Sequence, residues 1–308
     1  MGAAESRIAL RLFACLMVCA ANAGYGFNLS EPSPGIFVHR GRQLALDVPG
    51  HDDIANIGFI VGRKCVAVID TGGSMRIGRE LRAAVAQHTA LPVCYVINTH
   101  VHVDHVLGNA AFKSDQPSFV GHTALTQAMA RSTEFFLAHY GGDLDSPPGA
   151  DQIIAPDRVV ENELTLDLGG RQLALRAWPT AHSDCDLTVY DGQTGTLWTG
   201  DLLFRERLPA VDGSVKGWLK VLDELARMRV RLAVPGHGPI TRAVAAALVP
   251  ERRYLQALTA GVRDELSRGK SPQDAIEHVA AAQKPHWLLW DSVHPHNVMR
   301  VIQELEWE

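Results

Sequence analysis

The 308-residue chain has no clustered run of lysine and arginine. Its 29 basic residues stand against 34 acidic ones, a formal net charge of -5, which argues against a nucleic-acid groove and weakens a nuclease reading. It also has no apolar run that spans a bilayer comfortably, residues 12–21 being too short. Cysteine is scarce, five in all. Cys15 and Cys19 fall in the N-terminal stretch, and the remaining Cys65, Cys94 and Cys185 cannot all pair within one chain. Cys65 and Cys94, in or beside apolar strand-like runs, read as buried small residues. Cys185, three residues after His182, reads as a packed thiol, with ligation or oxidation as the alternative. What is present is ordinary for a folded chain: a hydrophobic fraction of 46% supplies a sizeable core, and the length allows one large domain or two smaller ones.

Arg7 and Arg11, the apolar stretch 12–21 and Ala21-Asn22-Ala23 read as the three parts of an export signal, residues 1–23, with the mature chain beginning near Gly24. Leu16-Met17-Val18-Cys19 is a weak match to a lipidation site at Cys19, with bulky Val18 where a small residue belongs. The reading is a periplasmic or secreted protein without stable membrane insertion.

Past a short irregular lead-in at 27–34, apolar runs at 35–39, 56–61 and 64–70 predict strands, the last two joined as a hairpin through Gly62-Arg63. Ile77, Leu81, Ala84, Val85 and His88 recur at helical spacing over 74–88. Val93–Ile97 predicts a strand, 118–120 another, and 123–138 a helix. Residues 140–148 carry turn chemistry throughout and either shape a cleft or connect elements. Leucines alternating at 164–168 and 173–177 around Gly169-Gly170 predict a hairpin with one buried face. Strands at 187–190 and 196–199, a helix at 215–228 and a strand at 231–234 follow. Beyond Ile240 the pattern is helical, at 241–248, 251–267, 272–282 and 297–306. Strand alternating with helix argues for an α/β layered fold. The His- and Trp-rich segment 284–297 either clamps the tail helix onto the domain or lines a pocket mouth.

Chemistry concentrates in Asn98-Thr99-His100-Val101-His102-Val103-Asp104-His105, three imidazoles and a carboxylate in six residues after a strand. In an extended segment His100 and His102 point to one side and can grip one ion, and Asp104 and His105 follow where the chain turns into a helix, facing a second. Imidazole with carboxylate suits zinc, with iron or manganese as alternatives. Three later residues complete such a set: His182 in Thr180-Ala181-His182-Ser183-Asp184, Asp201 in Trp198-Thr199-Gly200-Asp201, and His237 in Pro235-Gly236-His237-Gly238-Pro239. Each sits at or just past the end of an apolar run, where scaffolds present functional loops.

This constellation resembles the metallo-β-lactamase superfamily, with its HxHxDH motif and the downstream His, Asp and His in the family's order, over roughly residues 36–240. The resemblance implies a four-layer αββα sandwich at 24–240, with 241–308 as a helical extension packed on the same domain. It implies two Zn2+ ions, His100, His102 and His182 holding one, Asp104, His105 and His237 the other, and Asp201 bridging. It also implies Asp70 as a residue that orients ligands from beneath, and Asp104 as the catalytic group that orients a hydroxide shared by the ions and passes on its proton. Where the commonest antibiotic-degrading members carry a cysteine this chain has Asp201, which points to the broader hydrolases: a small-molecule ester-like, lactone, thioester or related bond rather than a β-lactam ring. The stretch Asp291-Ser292-Val293-His294-Pro295-His296-Asn297 is similar to exported zinc metallohydrolases associated with quinoprotein dehydrogenase relays and sulfur-oxidation loci, which implies a periplasmic quinoprotein dehydrogenase as a partner. The alternatives are a β-lactamase and a non-hydrolytic metal-binding accessory protein.

Overall fold

A computed structural model describes residues 27–306; the export signal expected at 1–23 and Cys19 lie outside them. In chain order the elements are Leu29–Ser33 (β1), Ile36–His39 (β2), Ile57–Val61 (β3), Val66–Ile69 (β4), Met75–His88 (α1), Val93–Ile97 (β5), Val103–Val106 (α2), Ser118–His122 (β6), Leu125–Tyr140 (α3), Arg158–Val160 (β7), Glu163–Asp167 (β8), Gln172–Ala177 (β9), Leu187–Asp191 (β10), Thr196–Phe204 (β11), Val215–Leu225 (α4), Leu232–His237 (β12), Val244–Ser267 (α5), Pro272–His278 (α6) and Trp290–Leu305 (α7). They form a seven-stranded sheet in the order β1 to β7 and a five-stranded sheet ordered β12-β11-β10-β9-β8.

The layering follows from which face each strand residue occupies. In β4, Ala67 and Ile69 point at the second sheet and pack with Leu173, Leu187, Val189 and Trp198, while Val66 and Val68 point the other way onto Ile77, Leu81 and Val85 of α1. The strand is therefore apolar on both sides and reads as a continuous run. The far face of the second sheet, with Leu197, Leu203 and Ala233, meets Trp218 and Leu222 of α4, Tyr254 and Leu258 of α5 and Val298 and Val301 of α7. Helix, sheet, sheet, helix is the αββα sandwich, and the C-terminal helices join its outer layer.

Several elements differ from the sequence reading. The lead-in 27–34 holds an edge strand, β1, turned back onto β2 at Gly35, whose φ of 70 is a left-handed conformation glycine adopts freely, and the three-residue β7 has no counterpart in that reading. Helices expected at 241–248 and 251–267 are one helix, α5, running through Pro250; α7 begins at Trp290 rather than residue 297 and runs through Pro295. In both cases the carbonyl four residues earlier, on Ala246 and on Asp291, belongs to an exposed residue, so losing one helical bond leaves water as the partner. The other turns of each helix keep a buried face. The strand expected at 196–199 runs on to Phe204 with all nine residues buried.

Cys65 and Cys94 are not separate small residues but a disulfide, Cα atoms 5.7 Å apart, 29 positions apart in sequence. Parallel pairing of β4 with β5 across the α1 crossover brings them together, a proximity that spacing alone conceals. Cys185 is the one free cysteine among the described residues, fully buried with Met75, Leu107 and Leu125, and burial pushes its thiol far above the usual range. Of segment 284–297, Trp287, Trp290 and His294 pack inside the outer layer, whereas His296 turns towards a cavity. Among residues 140–148 only Tyr140 lines that cavity. Among the described residues no helix is long and apolar enough to cross a membrane.

Candidate metal centre

The site lies beyond the carboxyl ends of the parallel strand pairs β4/β5 and β11/β12, where an open α/β sheet leaves a crevice. β5 ends at Ile97, the chain bends through Thr99, His100 and Val101 to an extended His102, and α2 then swings Asp104 and His105 into the same space. Asp70, at the end of β4 in a left-handed conformation, φ 53, turns its carboxylate beneath the motif. Its Oδ1 accepts from the Thr99 N–H at 2.8 Å, and Oδ2 accepts from the Thr99 hydroxyl at 2.7 Å and from His105 Nδ1 at 2.8 Å.

The second half contributes from three places. His182 stands in the loop after β9, and its Nδ1–H donates to the Ala210 carbonyl at 2.7 Å. Asp201 and His237 lie within strands rather than in loops past them. Gly200, with φ 50, bulges β11 against β12 and turns Asp201 inward. Gly236 is required opposite it, because any Cβ there would collide with the Asp201 carboxylate.

All seven residues singled out in the sequence come together as two donor groups: His100, His102, His182 and Asp201, and Asp104, His105 and His237, the ligating atoms of each lying within 4.8 Å of one another. Asp201 faces both. Its Oδ2 is 3.7 Å from His100 Nε2, 3.5 Å from His182 Nε2 and 3.2 Å from His237 Nε2, and its Oδ1 is 3.2 Å from His105 Nε2. Asp104 Oδ2 lies 3.3 Å from His237 Nε2 and 3.6 Å from His105 Nε2.

Whether these residues suit cations is decided by the outer nitrogens. His100 Nδ1 bonds Thr99 Oγ1, His105 Nδ1 bonds Asp70, His182 Nδ1 bonds Ala210 O and His237 Nδ1 bonds Ile54 O. Each such bond puts the proton on Nδ1 and leaves the Nε2 lone pair facing inward. His102 is reversed: Nε2 bonds Asp212 at 2.9 Å, and Nδ1 faces His100 Nε2 at 3.0 Å and His182 Nε2 at 2.9 Å. Five lone pairs and two carboxylates thus converge with little to bind but one another, and buried His105 Nε2 and Asp201 Oδ1 have no hydrogen-bond partner. A donor set without donors is unfavourable by itself and suits divalent cations.

The electrostatics divide the imidazoles. Burial would lower His102, but Asp212, Asp201 and Asp104 outweigh it and raise it to about 9. Burial lowers His100 well below the usual imidazole range, helped by His105, and lowers His182 to about 4. Burial would also lower His105, but Asp201, Asp104 and Asp70 outweigh it and hold it well above that range. For Asp201, burial pushes upward, yet His237, His105 and His100 keep the carboxylate far below its ordinary range.

Sequence reasoning missed three residues here. Asp212 carries His102 and also accepts from His296 Nε2 at 2.7 Å. Arg207 lines the cavity beside His237. Asn297 of α7 accepts from Val211 N–H and donates to the Pro209 carbonyl, pinning the loop that supplies Ala210 and Asp212. None has a local signature, since each acts on partners distant in sequence.

The centre floors a cavity of about 550 Å³. Its polar end holds His102, Asp104, Asp201, Arg207 and Asp212, and its walls include Phe135, Phe136, Val101 and Leu46.

A two-sheet sandwich with such a centre at its strand ends defines a metallohydrolase. The chain belongs to the metallo-beta-lactamase superfamily, whose family model matches residues 51–237. Among solved structures it is similar to a metallo-beta-lactamase from Pontibacter korlensis, at 19% identity and a TM-score of 0.61, covering 74% of this chain and 98% of that one. A metallo-beta-lactamase family protein from Thermus thermophilus aligns at 19% identity and 0.64, over 88% and 94%. The inverting sec-alkylsulfatase Pisa1 from Pseudomonas sp. aligns at 18% and 0.65, over 90% of this chain but 50% of that one. No curated protein matches.

Proposed function

We propose that this is an exported, binuclear zinc-dependent hydrolase of an ester-like, lactone, thioester or related bond. The observation that carries the reading is Asp201, one buried carboxylate within 3.7 Å of four imidazole nitrogens drawn from both donor groups. His100, His102 and His182 would hold one ion, Asp104, His105 and His237 the other, with Asp201 shared; iron or manganese would also suit the set. When bound, such ions lower the pKa of water to about 7 and polarise the substrate oxygen. Asp104, in the cavity wall, orients the attacking water and takes its proton, so no serine or cysteine nucleophile is required; Cys185 belongs to neither donor group.

Export is supported by the Cys65–Cys94 disulfide, which persists in oxidising compartments. The sec-alkylsulfatase among the similar structures, matched over 50% of its own length, adds sulfate esters to the substrate classes to be tested. The test is metal content together with turnover of the purified chain from about Gly24 against β-lactam, thioester, lactone, phosphodiester and sulfate-ester substrates. About two zinc ions with turnover of one class is the expected result. Iron without turnover would overturn it in favour of a non-hydrolytic accessory role beside a quinoprotein dehydrogenase.

A further inference from the structure

Asp201 enters the centre on a bulge, and just beyond it the strand that carries it loses its neighbour on one side. Pairing of β11 with β10 runs only from Thr196 to Trp198. Arg205 N–H donates to the His237 carbonyl of β12 at 3.0 Å, so the preceding Phe204 N–H points away from β12, past the end of β10. There it meets the outer helices, donating to Glu251 Oε1 of α5 at 3.2 Å. Two residues earlier the Leu202 carbonyl accepts from the Trp218 indole N–H of α4, also at 3.2 Å.

Glu251 is out of place for folding alone. Val244, Leu248, Leu255, Leu258 and Val262 follow one another along the buried face of α5, and Glu251 stands between Leu248 and Leu255 at the spacing of that stripe. Its side chain is fully buried and Oε2 has no hydrogen-bond partner, an unfavourable arrangement that a leucine would avoid. Burial, with the charge of Asp201 added, pushes the acid well above the usual carboxylate range despite its bond from Phe204, so it stands uncharged.

What that bond holds is a ring. Phe204 stacks on His237 with centroids 5.1 Å apart and planes 22° from parallel, and lies 5.6 Å from the His182 ring. Trp218 meets the same His182 edge-on at 5.2 Å. His182 and His237 belong to different donor groups. Each is tied through Nδ1, to Ala210 O and Ile54 O, a bond that leaves the imidazole free to tilt, and a packed aromatic face removes that freedom.

We infer that Glu251 is a positioning residue of the metal centre: by holding the Phe204 N–H it keeps the Phe204 ring against His237 and His182, and so sets the plane of one imidazole in each donor group. This role deepens the metal-dependent reading above and rests on it for the two ions, not for the bond hydrolysed.

Cobalt(II) serves as the probe on the purified chain from about Gly24, because its visible absorption reports ligand geometry as well as occupancy. Wild type, Glu251→Gln, Glu251→Leu and Phe204→Leu are compared for cobalt affinity by chelator competition and for the spectrum of the filled centre, with circular dichroism confirming the fold. Glu251→Gln keeps an uncharged acceptor for the Phe204 N–H and should match wild type. Glu251→Leu removes the acceptor but suits the apolar stripe; it should weaken cobalt binding by about 10-fold, the lower end for residues that orient ligands, and shift the spectrum with the fold intact. Phe204→Leu keeps the backbone bond and loses the ring, so it should reproduce that change, and the double variant should be no worse than either alone. Wild-type affinity and spectrum in Glu251→Leu, equal damage from Glu251→Gln, or additive losses in the double variant overturn the role. Should Glu251→Leu fail to fold, a wild-type spectrum in Phe204→Leu overturns it as well. Cobalt binding that follows the expected pattern without turnover of any substrate keeps the positioning role and overturns the hydrolase reading instead, whereas a wild type that binds no cobalt overturns both.

Discussion

In the first half of the chain, His100, His102, Asp104 and His105 come from six consecutive residues, and Asp70 of the same sheet supports them through Thr99 and His105. In the second half, His182, Asp201 and His237 come from three separated places; the Ala210 carbonyl supports His182, the Ile54 carbonyl supports His237, and from the same loop as Ala210 the Asp212 carboxylate reaches across to His102. That loop is held by the far C-terminus. Asn297 binds Val211 and Pro209, Arg300 donates to the Asp212 and Gly213 carbonyls, and Glu304 accepts from Ser214 and the Val215 N–H. His100 and His105 are thus braced within the first half, whereas His102 and His182 depend on a loop packed against the C-terminus. Local construction needs only a strand end and a turn, whereas that loop makes α7 part of the site.

The largest effect is expected where the halves share one reaction. Asp104→Asn should lower turnover on the order of 10²- to 10⁴-fold, the range for a positioned acid or base, while circular dichroism stays native; unchanged turnover would remove Asp104 from its role. The comparison itself is sharpened by Asp70→Asn and Asp212→Asn, each expected to weaken metal binding by about 10- to 100-fold. Asp70→Asn should be the more damaging, because three bonds converge on a buried carboxylate against two on a half-exposed one. A competition titration with a chelator measures both, and the reverse order would break the contrast.

Next comes the disulfide, confined to the first sheet. Cys65→Ser with Cys94→Ser should cost about 2–4 kcal/mol of stability, read by denaturant unfolding with metal content unchanged. Asn297→Ala removes three bonds from a fully buried amide and should cost about 1–3 kcal/mol together with weaker metal binding, although the residue touches none of the seven donors. If only stability falls, α7 is a clamp on the fold and not on the centre. The smallest effect belongs to Cys185→Ser, whose bound metal should match the wild type by elemental analysis; a large loss would make it a ligand.

These differences also explain which parts are legible in the sequence. His100 to His105 declare themselves because three imidazoles and a carboxylate fall in six residues between a strand end and a helix, although the chain bends there where the sequence reading expects an extended segment. Strands such as β4 are readable because apolar residues on both faces leave a continuous run. Edge strand β1 and the prolines inside α5 and α7 mislead because tertiary packing overrides local signals: β1 exists by pairing with β2, and the helices continue because their buried faces outweigh one missing bond. Cys65 and Cys94 mislead for a related reason, since pairing of β4 with β5 is a property of the sheet.

The sequence alone determined the layered α/β class and the identity of all seven converging donors, because donor type and strand-end position are local properties of the chain. Only the tertiary structure decided that Asp201 faces both groups, that each outer imidazole nitrogen is tied to a particular acceptor, that Asp212, on a loop held by α7, braces His102, and that Arg207 lines the cavity beside His237. Those depend on which distant segments are packed side by side, and a buried charge or lone pair acquires its meaning from the neighbours that desolvate it.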